Sequence, residues 1–395
     1  MIGKVKNILP SNKLSTALKL IAISIIPTLL IWLPFFFRFE TFWGIPLPQD
    51  GMATIVSNYD GPLFIVVAKT LYNIEAIGSQ FQFPLPSEYY AAHYPMFPLL
   101  IKLFSPLLGY PYSMMFVTLA SSILAIYFFH RLISEYVKGD NALWLTLAFS
   151  LFPARWLIVR SVGSSEPLFM AAVIASVLYF KKEKYLLAGL WGVVAQLTRS
   201  PGILLFIAYF GAIFVPSFKV YATKGVRKWF EYINIKKTYP IFLIPLALAG
   251  LFIFYGIRFG DFMAYFNSGD NIHLFFPPFQ VFNYSAPWVG TFWLEEIIYI
   301  YLFGTLGLLS LVKQKEYTMA WVVGVFLISL FFVSHRDVAR YGLAMLPFLY
   351  VTWRKFLVKR EFKIALAVIA IPIYLYSITY ISQNVMPISN WAPFL

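Results

Sequence analysis

The residues best suited to chemistry in this chain are one acid and several arginines set among apolar side chains. Asp60 lies in SNYDGPLFIVVAKTLYN, just ahead of an apolar run. A carboxylate in that setting can accept a proton from a substrate hydroxyl, as a general base does. It can also cap the helix that follows, because Asp before Gly and Pro is a good helix start. The two roles are compatible, and both stay open.

Glu166 and two arginines form a second group of candidates. Glu166 in SVGSSEPLF opens a predicted helix, where it either complements the helix dipole or belongs to a binding site. Arg155 and Arg160 end the preceding apolar segment. Arginines at the end of a membrane span can extend to the interface. Two arginines at the same end of a span, with Glu166 as the one nearby acid, are also suited to binding a phosphate group.

Further arginines lie in two short polar segments. Arg199 in LTRSPG stands between apolar residues and the helix-breaking sequence Ser-Pro-Gly. Charges at membrane depth are costly enough to indicate a site. The segment SHRDVARY holds His335, Arg336 and Arg340 around Asp337. A local salt-bridge network is one interpretation of this segment. The other is a pair of guanidinium groups that grips a phosphate, for which arginine geometry is suited.

The remaining candidate, His93, lies in AAHYPMFP. A lone histidine in an aromatic loop is usually a satisfied polar group, and metal ligation would need partners such as Asp60 or Glu88. No metal site is predicted, the sequence requires no cofactor, and a divalent cation lacks support. The chain has no cysteine, which excludes thiolate catalysis. It also lacks the P-loop and dinucleotide-binding motifs, so a soluble nucleotide substrate is unsupported.

The elements that must position these residues are predicted to be membrane-spanning helices. The chain is 60% hydrophobic and only 12% charged over 395 residues, which is far from the composition of a soluble domain. We therefore predict an all-α polytopic membrane protein with one domain over residues 1–395. The predicted spans number about eleven: 20–37, 112–133, 141–159, 165–180, 185–197, 201–217, 240–257, 297–312, 317–334, 341–357 and 363–381. The short spans 185–197 and 201–217 could meet within the membrane.

The distribution of positive charge predicts the orientation. Lys4 and Lys6 precede the first span, which we interpret as an uncleaved anchor. Most of the 31 Lys and Arg residues then fall in loops on the same side as the N-terminus, which places that terminus in the cytoplasm and the C-terminus outside. The net charge of +14 is thus a topology signal, and nucleic-acid binding is not expected. Two long loops, 38–111 and 258–296, lie outside, and the apolar stripe after Asp60 predicts a helix on the membrane surface.

Five segments in order resemble the PIG-V-like mannosyltransferases of the GT-C superfamily. They are the Asp60 segment, HYPMFPLLIKLF, SEPLF, LTRSPGILL and RYGLAMLPF, and they cover residues 57–350. Tyr59 stands where the family has Trp or Phe. The resemblance implies a GT-C-like helical bundle and transfer of mannose from a polyprenyl-phosphate donor to a lipid- or protein-linked acceptor, on the non-cytoplasmic face and with inversion. It also implies Asp60 as the base and Arg199 and Arg340 as ligands of the donor phosphate.

The expected site therefore combines Asp60 with residues that bind the donor. Those residues are Arg160, Arg199, Arg336, Arg340, Glu166, His93 and His335. The expected location is the cell membrane of a prokaryote or the endoplasmic reticulum of a eukaryote. Transfer of another sugar by a GT-C enzyme, and transport of a lipid-linked sugar, remain as alternatives. A transporter predicts charged residues within the spans and internal repeats, and the sequence shows neither.

Overall fold

The computed structural model describes residues 11–81, 83, 85–286, 289 and 294–395. Lys4 and Lys6, and residues 287, 288 and 290–293 of the second long loop, lie outside the described residues. Within them the regular secondary structure is almost entirely helical, and the described strands are β1 (Thr41–Phe42) and β2 (Ile45–Pro46), which pair antiparallel. The prediction of an all-α membrane protein is confirmed at this level.

Most helices follow one another with short connections, and the long connections are residues 37–51, 81–95 and 260–294. In the first part of the chain they are α1 (Ser11–Phe36), α2 (Met52–Val56), α3 (Gly61–Thr70), α4 (Ile74–Gln80), α5 (Met96–Leu108), α6 (Tyr110–Ile133), α7 (Asp140–Leu151), α8 (Ala154–Ser161) and α9 (Glu166–Lys181). In the second they are α10 (Tyr185–Thr198), α11 (Ile203–Ile233), α12 (Ile235–Thr238), α13 (Leu243–Phe259), α14 (Glu295–Lys313), α15 (Tyr317–Phe331), α16 (Val338–Tyr341), α17 (Leu346–Leu357) and α18 (Arg360–Gln383).

Six helical segments of the described chain are long and apolar enough to cross a membrane. They are Leu14–Phe36, Tyr110–Ile133, Ser200–Trp229, Glu231–Phe259, Glu295–Lys313 and Arg360–Gln383. α7 and α8, bent by 73° at their junction, would make a seventh as one broken span. The predicted spans 165–180, 185–197, 317–334 and 341–357 correspond to helices of only 12 to 16 residues. Segment 201–217 belongs to a long helix, so the prediction of a short one is wrong, and the number eleven stays a prediction.

The core is built around α9. Nearly every residue of α9 is buried, and the helix is apolar on all sides, as expected for a helix enclosed by others. α6 and α10 pack against it, while α15 packs between α11 and α14. Because α9 is fixed on all sides, its first residue, Glu166, has a fixed position at one end of the bundle.

The helix after Asp60 does not lie on the surface as predicted. All residues of α3 except Lys69 are buried, since α5 and α6 cover it. α5 instead exposes an apolar row, with Leu99, Leu103 and Leu107 between 47% and 83% exposed. The apolar stripe in α3 therefore marked contact with protein, because periodicity alone does not tell a lipid-facing side from a protein-facing one.

Candidate functional site

Four helix ends bring charged side chains together at one end of the bundle. α9 begins at Glu166, α10 ends just before Arg199, α16 contains Arg340, and α3 begins just after Asp60. These four residues, here called the charged cluster, are far apart in sequence. All four were predicted as site residues, and the structure places them in one connected group.

Glu166 is the centre of the charged cluster. Nη1 of Arg199 lies 2.6 Å from its Oε1, and Nε of Arg340 donates to the same oxygen. The hydroxyl of Ser164 donates to Oε2. The Glu166 side chain is only 8% exposed, and a buried carboxylate is tolerated when it is paired and hydrogen-bonded in this way. Glu166 thereby fixes both guanidinium groups.

Asp60 is the accessible acid of the charged cluster. Its Oδ2 lies 3.7 Å from Nη2 of Arg340, and its side chain is 38% exposed. Asp60 occupies the N-cap position of α3, as the helix start predicted, but its side chain makes no capping hydrogen bond. Gly61 allows the tight turn here, because a Cβ on it would lie 2.3 Å from the carbonyl oxygen of Val56. The carboxylate is thus directed toward Arg340 and solvent.

A second ion pair supports the charged cluster from the side. Nε of Arg155 lies 2.9 Å from Oδ1 of Asp337. The Arg155 guanidinium also stacks over the ring of Tyr380 at 3.9 Å, and Arg340 stacks over Tyr59 at 4.4 Å. The local salt-bridge network that was one interpretation of SHRDVARY does not form among the described residues, because Asp337 and Arg340 pair with residues distant in sequence.

Two histidines lie next to Arg340. The rings of His273 and His335 are 4.5 Å apart, and both contact the ring of Tyr341. The main-chain N–H of Asp337 donates to Nδ1 of His335 at 2.9 Å. Burial lowers the pKa of His273 to about 4, and nearby Arg340 adds to the effect. Burial, His273 and Arg340 lower the pKa of His335 to about 3. Both rings are therefore neutral at neutral pH.

We expect the protein to lose stability as the pH falls from about 6.5 to about 4. An unfolded histidine has a pKa of about 6.5, so in this range the unfolded chain binds protons that His273 and His335 in the folded chain do not. The melting temperature in detergent across this range measures the effect. The double variant His273→Gln/His335→Gln should show a shallower decline, with the remainder due to other histidines such as His93. An unchanged slope would contradict this assignment.

His93 is a third histidine near Asp60. It is buried, and its ring packs edge-on against Phe64 at 5.1 Å and beside Tyr89 at 5.9 Å. Burial lowers its pKa, and the charge of Asp60 acts in the opposite direction. The structure thus places His93 near Asp60, as a neutral ring in an aromatic wall.

Asn58, which the sequence analysis did not single out, holds the Asp60 segment in place. Its side chain is fully buried and donates to the carbonyl oxygen of Ile381 at 2.7 Å, while its Oδ1 accepts from Asn384. The main chain of Tyr59 donates to the carbonyl of Asn384 as well. A polar residue just before an apolar run was the only sequence signal for this contact. The end of α18 therefore fixes the turn that presents Asp60.

Replacing Asn58 by Ala should destabilise the protein by about 1–3 kcal/mol, because the buried carbonyl of Ile381 loses its donor. Unfolding in mixed micelles, followed by circular dichroism, gives the free-energy difference. Asn283→Ala serves as the control, since Asn283 is exposed and should change stability little. Equal effects of the two substitutions would show that the Asn58 contact contributes nothing.

Two of the predicted site arginines lie outside the charged cluster. Arg336 is exposed, and no ion pair of its side chain is found in the described part of the chain. Arg160 is fully buried, and its guanidinium donates to the carbonyl oxygens of Ser150 and Ser24. Arg160 therefore stabilises the junction of α7, α8 and α1, and we leave it out of the proposed site.

A cavity of about 30 Å³ adjoins the charged cluster. Glu166, Arg199 and Arg340 form its polar wall. Its apolar wall consists of Phe169, Met170, Pro201, Phe326, Leu343 and Ala344, with Tyr341 at the edge. A space of this size holds ordered water. The cavity thus has one charged wall and one apolar wall.

The described residues contain no group of three or more histidine, aspartate and glutamate side chains placed to hold a metal ion. Comparison of the chain with protein-family models and with curated proteins finds no match.

Proposed function

We propose that this chain is an integral-membrane glycosyltransferase that moves a mannosyl residue from a polyprenyl-phosphate donor to a lipid- or protein-linked acceptor. The reaction would take place on the non-cytoplasmic face, as the charge distribution of the loops suggests. The observation that carries the proposal is an accessible carboxylate, Asp60, beside arginines whose side chains are only 12% and 18% exposed, at one end of a helical membrane bundle. The order of motifs that resembles the PIG-V-like family supports the choice of sugar.

Asp60 would act as the general base. Its side chain makes no capping hydrogen bond, so its oxygens are available to an incoming hydroxyl. Arg340 lies 3.7 Å away, which is too long for a strong hydrogen bond and leaves room for adjustment when substrate binds. A carboxylate within hydrogen-bond reach of the acceptor hydroxyl can then take its proton.

Arg199, Arg340 and Arg336 would bind the donor phosphate. Glu166 already orients the first two, so little reorganisation is needed on binding. The carboxylates of Asp60 and Glu166 balance the two guanidinium groups of the charged cluster, so Arg336, which lies outside it, would supply the one excess positive charge. A polyprenyl phosphosugar is a phosphodiester with one negative charge, so the proposed site and the donor are complementary.

An isoprene unit is larger than the cavity of about 30 Å³, so its apolar wall would contact the polyprenyl chain next to the phosphate once the cavity widens on binding. Phe169 and Met170 belong to α9, and Phe326 belongs to α15, so the apolar wall continues into the helical bundle. A soluble nucleotide sugar would gain nothing from these side chains. Their position next to the arginines therefore favours a lipid-linked donor.

In the proposed reaction the acceptor oxygen attacks the anomeric carbon of the sugar. The bond from that carbon to the phosphate oxygen breaks, its electron pair leaves with the polyprenyl phosphate, and Asp60 takes the acceptor proton. Arg199 and Arg340 would stabilise the second negative charge that develops on the phosphate. Attack from the face opposite the leaving group inverts the anomeric configuration.

The test uses purified protein in lipid with a labelled polyprenyl-phosphate-mannose and a panel of glycolipid and glycan acceptors. We expect release of polyprenyl phosphate together with a labelled product that identifies the acceptor. Transfer only from a donor with another sugar would mean that the chain is a GT-C enzyme with a different donor. Absence of transfer from every donor, together with movement of the intact donor across the bilayer, would overturn the proposal in favour of transport.

A further inference from the structure

We propose that residues 219–237, here called the basic segment, bind anionic phospholipid headgroups at the membrane surface opposite the charged cluster. The basic segment contains one acid, Glu231, and six basic residues. The basic residues are Lys219, Lys224, Arg227, Lys228, Lys236 and Lys237. No part of the proposed transfer reaction uses them.

The length of α11 places the basic segment at the far side of the membrane. The apolar segment Ser200–Trp229 starts next to Arg199 of the charged cluster, and its helix runs from Ile203 to a break at Gly225, where φ is 75°. The 22 residues before the break measure about 33 Å, close to the hydrocarbon thickness of about 30 Å. The break and the residues around it therefore lie near the opposite membrane surface.

Several positive charges of the basic segment are available to a partner. Glu231 pairs with Lys228 at 2.7 Å and lies 3.6 Å from Arg227. Lys219 and Lys224 are exposed, and no acid of the described chain forms an ion pair with either side chain. Two cations beside the end of a membrane helix attract the anionic headgroups of the adjacent leaflet.

Aromatic side chains beside these lysines favour a lipid surface over a soluble polyanion. Phe218 and Tyr221 on α11, and Tyr232 and Tyr239 after the break, are each between 50% and 61% exposed. Aromatic residues interleaved with lysines are typical of the boundary between hydrocarbon and headgroups. A nucleic acid or an acidic protein would not cover the apolar part of this surface.

The experiment is native mass spectrometry of the purified protein in neutral detergent, titrated with phosphatidylglycerol or phosphatidylcholine. We expect tighter binding of phosphatidylglycerol, weakened by added salt because exposed charges are screened. The variant Lys219→Gln/Lys224→Gln should bind phosphatidylglycerol roughly fivefold more weakly per removed charge. The control Lys359→Gln/Arg360→Gln removes two exposed charges at the start of α18 and should retain the affinity.

Two outcomes would overturn the proposal. One is equal affinity of the natural protein for the two lipids. The other is an equal loss in the two charge variants, which would mean that any basic residue serves and that the basic segment has no lipid site. In either case its lysines would act only in setting the topology of the chain. Neither outcome bears on sugar transfer, because the basic segment and the charged cluster lie at opposite ends of α11.

Discussion

Replacing Asp60 by Asn should abolish sugar transfer while the protein still folds and inserts. The amide keeps the size of the side chain but cannot accept the acceptor proton, and loss of a general base costs about 10²–10⁴ in rate. The Asp60 side chain is 38% exposed and lies 3.7 Å from Arg340, so its charge contributes little to stability. The measurement is release of labelled sugar from the polyprenyl-phosphate donor, with the melting temperature recorded for the same preparation.

A matched control separates the role of Asp60 from a general effect of negative charge. Glu75 is an exposed acid in the first turn of α4, in the same long loop. Glu75→Gln should transfer sugar at the rate of the natural protein. Full activity in the Asp60→Asn variant would remove Asp60 from the mechanism. Loss of activity in both variants would point to loop structure as the cause.

Replacing Glu166 by Gln should destabilise the protein by about 3–5 kcal/mol, as expected when one partner of a buried ion pair is removed. Glu166 is 8% exposed and accepts from both Arg199 and Arg340, which are themselves only 18% and 12% exposed. The amide would leave two largely buried guanidinium groups without their main counter-charge. Unfolding of the purified protein in mixed micelles, followed by circular dichroism, gives the free-energy difference.

Glu231→Gln is the control for this substitution. Glu231 also pairs with two basic residues, but its side chain is 50% exposed. Exposed pairs contribute at most about 1 kcal/mol, so this variant should be nearly as stable as the natural protein. Similar small losses in both variants would show that the charged cluster is hydrated and that burial does not strengthen its ion pairs.

Hydropathy and charge in the sequence were sufficient to predict the class of protein. Long apolar segments predicted a helical membrane protein, and six of them correspond to helices long enough to cross a bilayer. The cost of placing a charge among apolar residues also made Asp60 and Arg199 candidates. A predicted helix start added Glu166, and the polar segment SHRDVARY added Arg340 together with Arg336, which lies outside the charged cluster. Both inferences rest on local composition, which a single segment carries by itself.

The tertiary structure decided which of these residues meet. Glu166 and Arg199 are 33 residues apart, and Glu166 and Arg340 are 174 residues apart, so no local pattern could pair them. Packing also decided that α3 is enclosed by protein and that Asp60 faces Arg340 instead of capping its helix. A periodic apolar face indicates that a helix needs an apolar neighbour, but lipid and protein satisfy that need equally well. Only the arrangement of the other helices determines which one is present.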